Sequence, residues 1–153
     1  MNTSYWDKQS PFFVDIPESH QRVTLSDLEK IYADPHQRLF VLKIPEIVGV
    51  ILIELPPKGT IAKLGLFAFD RKHRGENEGL LLLQHAENCA KLAGKQTIRL
   101  EVFVFAQKLI VYYEKLGYYL TGKTASFFHK ECIKPEFQNP KDQYLVEMMK
   151  SLI

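Results

Sequence analysis

The chain has 153 residues, of which 46% are hydrophobic, 12% aromatic and 25% charged, and that balance suits one globular domain. Lys and Arg number 20 against 18 Asp and Glu, and the formal charge of +2 is too small to mark a nucleic-acid-binding face. Cys89 and Cys132 form neither a metal spacing nor a disulfide framework, and the longest apolar run, Ile47–Ile53, falls far short of the roughly 20 residues of a membrane span. Residues 1–10 lack the apolar core of a secretory signal, so the expectation is a cytoplasmic protein with no metal, nucleic-acid or membrane partner.

Residues 1–22 read as a loosely packed lead-in, with Phe12–Ile16 a possible short strand. Thr24–Glu29 reads as a helix start, with Ser26 as cap and Glu29 three residues on closing the box, and Pro35 ends the helix. Three strands follow: Arg38–Ile44, Ile47–Leu55 and Thr60–Phe69. The second is almost continuously apolar, as a strand covered on both faces should be. The turns Pro45-Glu46 and Pro56–Gly59 join the three into an antiparallel meander. A helix over Gly79–Leu92 is expected to bury Leu80, Leu83, Ala86, Cys89, Ala90 and Ala93, with Gly94 ending it. Thr97–Phe105 reads as a strand, Ala106–Leu116 as a helix stopped by Gly117, Tyr118–Thr121 as a strand and Tyr144–Leu152 as the last strand.

The polar segment Arg71–Gly79 lies between a strand and an amphipathic helix. Free amides at a helix N-terminus form an anion site, glycines let the backbone approach closely, and Arg74 adds a fork of donors. The P-loop ending is absent, since Leu80 and Leu81 follow Gly79, and so is the dinucleotide Gly-x-Gly-x-x-Gly. On spacing alone a charged surface turn explains the segment equally well. A second cluster is Tyr112, Tyr113, Gly117 and Tyr118 at the end of the later helix. A tyrosine there can donate a proton, and it can equally be an amphipathic packing residue.

Together, residues from about Leu66 to Gly122 resemble the GNAT superfamily of acetyl-coenzyme A-dependent N-acetyltransferases, with weaker likeness over Leu25–Leu152. That family's loop pattern is Arg/Gln-x-x-Gly-x-Gly/Ala, matched by Arg74, Asn77 and Gly79, with Asn77 replacing the central glycine. Asparagine tolerates left-handed backbone angles, which would preserve the turn. The segment Tyr113-Glu114-Lys115-Leu116-Gly117-Tyr118 matches the family's Tyr-x-Lys-x-Gly-Phe, and Gln107 stands where an asparagine is frequent.

The resemblance implies a mixed, mainly antiparallel α/β sheet with helices on both faces. It implies acetyl-CoA as co-substrate, a small-molecule or peptide amine as acceptor, direct transfer, and a monomer or homodimer. Its cofactor-binding residues would be Leu66, Phe67, Ala68 and Phe69 on the strand. The loop and helix start would add Arg74, Gly75, Glu76, Asn77, Glu78, Gly79 and Leu80, and the later helix Gln107 and Tyr112. Tyr113 would protonate the leaving thiolate. Some relatives carry a base where this chain has Ile61, so Glu54 and Glu101 stand as alternative bases. The acceptor slot would draw on residues 10–31 and 127–142, with Phe12, Phe13, Asp15, Tyr32, Phe127, Phe128 and Phe137. A non-catalytic CoA-binding protein on the same fold is the alternative that the Asn77 change keeps open.

Overall fold

The computed structural model describes residues 23–70, 77–127, 131 and 133–153. The lead-in, Arg74, Gly75, Glu76, Phe128 and Cys132 lie outside the described residues. In chain order the elements are α1 (Leu25–Ala33), β1 (Gln37–Ile44), β2 (Glu46–Glu54), β3 (Ile61–Phe69) and α2 (Glu78–Leu92). They continue with β4 (Thr97–Phe103), α3 (Gln107–Lys115), β5 (Tyr119–Ala125), a 3-10 turn at Pro135–Phe137, and β6 (Leu145–Ser151). The six strands form one sheet in the order β1-β2-β3-β4-β6-β5. The pairs are antiparallel except β3–β4, which is parallel.

The meander forms for the reason its sequence suggests. Val48–Ile53 of β2 is buried without interruption, because both of its faces are covered. Ile51 and Ile53 point to a core shared with Leu82, Leu83 and Ala86 of α2 and Ile110 and Tyr113 of α3. Leu52 points the other way, to Val23, Leu66 and the half-buried Leu28 and Ile31 of α1. One helix therefore covers one face and two cover the other. Each fully buried Ile or Leu contributes about 1.5–3 kcal/mol, so this double burial is a main source of the fold's stability.

Two local readings need correction. Helix α1 is capped by Thr24, not Ser26: Asp27 N donates to Thr24 Oγ1 at 3.2 Å and Thr24 N donates to Asp27 Oδ2 at 2.9 Å. The box is closed by an aspartate two residues ahead of the expected glutamate, and the paired bonds hold the Asp27 carboxyl below the usual range. On α2 the buried residues are Leu82, Leu83, Ala86 and Ala90. Leu80 and Cys89 are half-buried and Ala93 is exposed, so the buried stripe lies to one side of the expected one. Both predicted helix stops take positive φ, +80° at Gly94 and +94° at Gly117.

Candidate active site

β3 and β4 pair at only three positions: Ile61 with Thr97, Ala62 with Ile98 and Lys63 with Arg99. Beyond these the strands part. The rest of β3 continues its ladder with β2, and the rest of β4 with β6. The β4-side edge of Leu66, Phe67, Ala68 and Phe69 thus makes no ladder with β4, and its backbone groups face the gap. A bulge sharpens the divergence. Ile53 pairs with Leu64 but Ile51 with Phe67, so Gly65 and Leu66 together oppose Leu52. The extra residue reverses which face successive side chains take. Leu64 enters the α2–α3 core, Leu66 the α1 core, and Phe67 and Phe69 pack against the α2–α3 core.

Helix α2 begins over the far end of this edge. A Cβ built on Gly79 would lie 3.8 Å from the Phe67 ring and 3.9 Å from the Phe69 ring. That is ordinary contact, so packing does not demand a glycine there. Asn77, the N-cap, has φ −74° and ψ 7°. It takes an ordinary right-handed conformation, contrary to the expectation of a left-handed one, and its replacement of a glycine strains nothing here. Its side chain makes no capping bond. Glu78 opens the helix half-buried, and its Oε2 is sealed from solvent without a hydrogen-bond partner. A carboxylate is favoured by the helix field at this end, and it would share that field with any anion bound there. From Leu80 a cleft of about 450 Å³ runs along α2 past Leu83 and Glu87 to Lys115, Gly117 and Lys150.

Tyr113 is buried at 4% exposure between two other rings. Its centroid lies 5.6 Å from that of Tyr112 and 5.3 Å from that of Tyr118, both edge-on. Tyr112 is half-buried, and burial, then the negative charge of Glu87, raises its phenol above the usual value. Gln107 is exposed, and its Nε2 donates to Val104 O at 2.5 Å, closing the turn into α3 and leaving Oε1 as the free end of the amide.

The two candidate carboxylates stand apart. Leu100 and Val102 face the α2–α3 core, so Glu101 faces the opposite side of β4. It lies two residues past the last β3–β4 pair, where the gap has opened. Its cross-strand partner is Glu147. Glu147 is engaged, since it accepts from Thr121 Oγ1 at 2.9 Å and Arg99 Nη1 at 3.4 Å. Glu101 has only a looser approach to Arg99, at 3.8 Å. Glu54 pairs with Lys63 on β2, beside the closed end of the gap.

Phe103 lies on the same face of β4 as Glu101, about 7 Å further along. It stacks on Phe105 (5.2 Å) and meets Phe127 edge-on (5.0 Å), and Phe105 meets Phe137 at 5.8 Å. Phe127 and Phe137 were expected in an acceptor slot. Phe103 and Phe105 were read only as strand residues, and the odd-numbered alternation Glu101, Phe103, Phe105 was the signal that could have joined them. Tyr32, also expected there, is 94% exposed and does not converge with them.

The family model described as "Acetyltransferase (GNAT) family" matches residues 2–118. The chain belongs to the GNAT acetyltransferase family. As a GNAT protein it is an N-acetyltransferase. Among curated proteins no sequence match is found. Solved structures share the fold at low identity. Ard1 from Thermoplasma volcanium matches with TM-score 0.69 and 18% identity, over 88% of this chain and 83% of its own. The ribosomal-protein-S18-alanine N-acetyltransferase from Escherichia coli matches with TM-score 0.62 and 16% identity, over 85% and 90%. An aminoglycoside 6'-acetyltransferase type Ii matches with TM-score 0.64 and 22% identity, over 84% and 76%.

Within this GNAT fold, α2 begins beside the Phe67 and Phe69 rings of β3, and the cleft along α2 starts at Leu80. Among the described residues no group of His, Cys, Asp or Glu is arranged to hold a metal ion, and no helix is long and apolar enough to cross a membrane.

Proposed function

We propose that this GNAT protein transfers the acetyl group of acetyl-CoA to a primary amine of a small molecule or peptide by direct attack, with Glu101 as base and Tyr113 as acid. One observation carries the reading: Tyr113 belongs to the α2–α3 face of β4 and Glu101 to the opposite face, beside the gap between β3 and β4. A reaction that takes a proton from one partner and gives one to the other needs two groups on opposite sides of the reacting carbon.

Bound acetyl-CoA supplies a thioester whose acetyl carbon is attacked by the amine as the thiolate departs. The N–H groups on the β4-side edge of Leu66–Phe69 orient the carbonyl and meet the charge that develops on its oxygen. Glu101, directly or through water, accepts the proton the ammonium must lose before attack. Tyr113 Oη delivers a proton to the sulfur. The amides of Glu78, Gly79 and Leu80, with Arg74, hold the pyrophosphate, and Gln107 bonds the pantetheine arm. The aromatic group Phe103, Phe105, Phe127 and Phe137 beside Glu101 supports a cationic amine with an apolar neighbour as the acceptor. The named activities of the aminoglycoside and ribosomal-protein enzymes above make aminoglycosides and peptide N-termini the first acceptors to try.

The test is thiol release from acetyl-CoA with a panel of aminoglycosides, amino-acid amides and short peptides, after calorimetric titration with acetyl-CoA. Amine-dependent release that drops on Tyr113→Phe by roughly tenfold or more, with acetyl-CoA affinity retained, is expected. Unchanged turnover in that variant overturns the acid role. Tight binding without release on any amine favours the non-catalytic alternative.

A further inference from the structure

Glu87 sits in the third turn of α2, away from the reacting groups, and is 13% exposed at its side chain. A carboxylate so far from water needs compensation, and three bonds provide it. Tyr118 Oη donates to Oε1 at 2.8 Å, and Lys150 Nζ donates to Oε1 at 3.1 Å and Oε2 at 3.0 Å. The same ammonium lies 5.5 Å from the Tyr118 ring centroid. Tyr118 is therefore held at its hydroxyl by Glu87 and over its ring face by Lys150. Its ring in turn meets Tyr113 edge-on. Tyr118 stands where the motif that this chain resembles has phenylalanine, and its hydroxyl is what bonds Glu87.

We propose that Glu87 is a positioning residue for the proton donor: through Tyr118 it fixes the ring against which Tyr113 is oriented. The inference rests on the reading of Tyr113 as acid. The Tyr113 ring packs edge-on against Tyr118, and a proton donor displaced by about 1 Å loses much of its rate. Bolting Tyr118 to a buried ion pair that joins α2 to β6 fixes the surface that the Tyr113 ring meets. Because Glu87 and Lys150 also line the cleft along α2, the device couples the cofactor's binding cleft to the placement of the acid.

The experiment compares Glu87→Ala, Glu87→Gln, Tyr118→Phe, Tyr113→Phe and the double variants with Tyr113→Phe. Thiol release from acetyl-CoA is followed with water as acceptor and with the amine found above. Glu87→Ala and Tyr118→Phe are expected to lower kcat about tenfold, a loss of transition-state rather than ground-state interaction. KM for acetyl-CoA should hold or fall, because losing Glu87 frees the charge of Lys150 at the cleft. Glu87→Gln keeps an oxygen for the Tyr118 hydroxyl and should recover most of the rate. Once Tyr113 is phenylalanine, neither change should cost more. Tyr118→Phe keeps the ring and serves if Glu87→Ala fails to fold.

The positioning role is overturned by additive losses in the double variants, by an effect on KM alone, by no rescue with glutamine, or by wild-type kcat in both single variants. Wild-type turnover in Tyr113→Phe instead overturns the acid reading, and the positioning role goes with it. No thiol release from the wild-type protein does the same.

Discussion

Tyr113 and Glu101 occupy opposite faces of β4, Tyr113 from α3 against the side of Leu100 and Val102, Glu101 on the side of Arg99 and Glu147. In the proposed mechanism the gap between β3 and β4 is what makes this separation useful. In a continuous sheet the two residues would have a wall of ladder bonds between them. The ladder ends at Lys63–Arg99, two residues before Glu101.

Glu101→Gln is expected to lower kcat by roughly a hundredfold, while Glu54→Gln leaves it within about twofold, since a general base contributes about 10²–10⁴ and Glu54 pairs at the closed end of the gap. Steady-state rates of both variants with one amine separate them. A larger loss in Glu54→Gln would move the base to β2.

Gly49 pairs with Phe69 across β2 and β3, and a Cβ on Gly49 would fall within the edge of the Phe69 ring. The glycine lets the ring of Phe69, the last residue of β3, lie over the β2 backbone. Gly49→Ala forces the ring away and should destabilise the fold by about 1–3 kcal/mol, the usual cost of overpacking. Urea unfolding checks this, and acetyl-CoA affinity should fall alongside, because the β4-side edge of β3 ends there.

The Tyr118 phenol is pushed far above its ordinary value, first by burial, then by the charge of Glu87 and the bond to it. A raised folded-state pKa means the folded protein keeps its proton where the unfolded chain loses it. The resulting stabilisation is fully present below about pH 10, the unfolded value, and is lost as pH rises beyond it. Denaturant midpoints measured from pH 8 to 11 should fall steeply above pH 10, and less steeply in Tyr118→Phe. Equal slopes would show that Tyr118 does not carry the dependence.

Lys95 is the buried cation behind the β2–β3 turn, 8% exposed, with Nζ donating to Pro56 O at 2.5 Å and Gly59 O at 2.8 Å. Lys95→Met keeps the stem and removes the donor, leaving two carbonyls to be satisfied by water. A loss of about 1–3 kcal/mol in unfolding free energy is expected, with turnover per folded molecule retained.

Much of this protein was readable from local pattern. The almost continuously apolar segment Ile47–Leu55 announces a strand covered on both faces, Gly94 and Gly117 mark helix ends, and Glu101 between Leu100 and Val102 has to face the side opposite to both. These follow from period and from backbone conformations, which neighbours in the chain decide. The cap at Thr24 was misjudged because Thr24–Asp27 and Ser26–Glu29 both fit the box, and the start of the helix decides between them. The buried side of α2 was misjudged because four consecutive leucines, Leu80–Leu83, hide its phase.

What the chain by itself determined was the order of its elements, their periodicity and a family motif around the helix that carries Tyr113. Tertiary structure alone decided which groups share a site. The bulge at Gly65 and Leu66 leaves the alternation of burial along β3 intact, yet it reverses the face each later side chain takes. The parting of β3 and β4, the meeting of Phe103 with Phe127 across 24 residues, and the bond of Tyr118 to Glu87 across 31 are all contacts between distant segments. Such contacts depend on how strands register and helices settle on them, and no local pattern encodes a register.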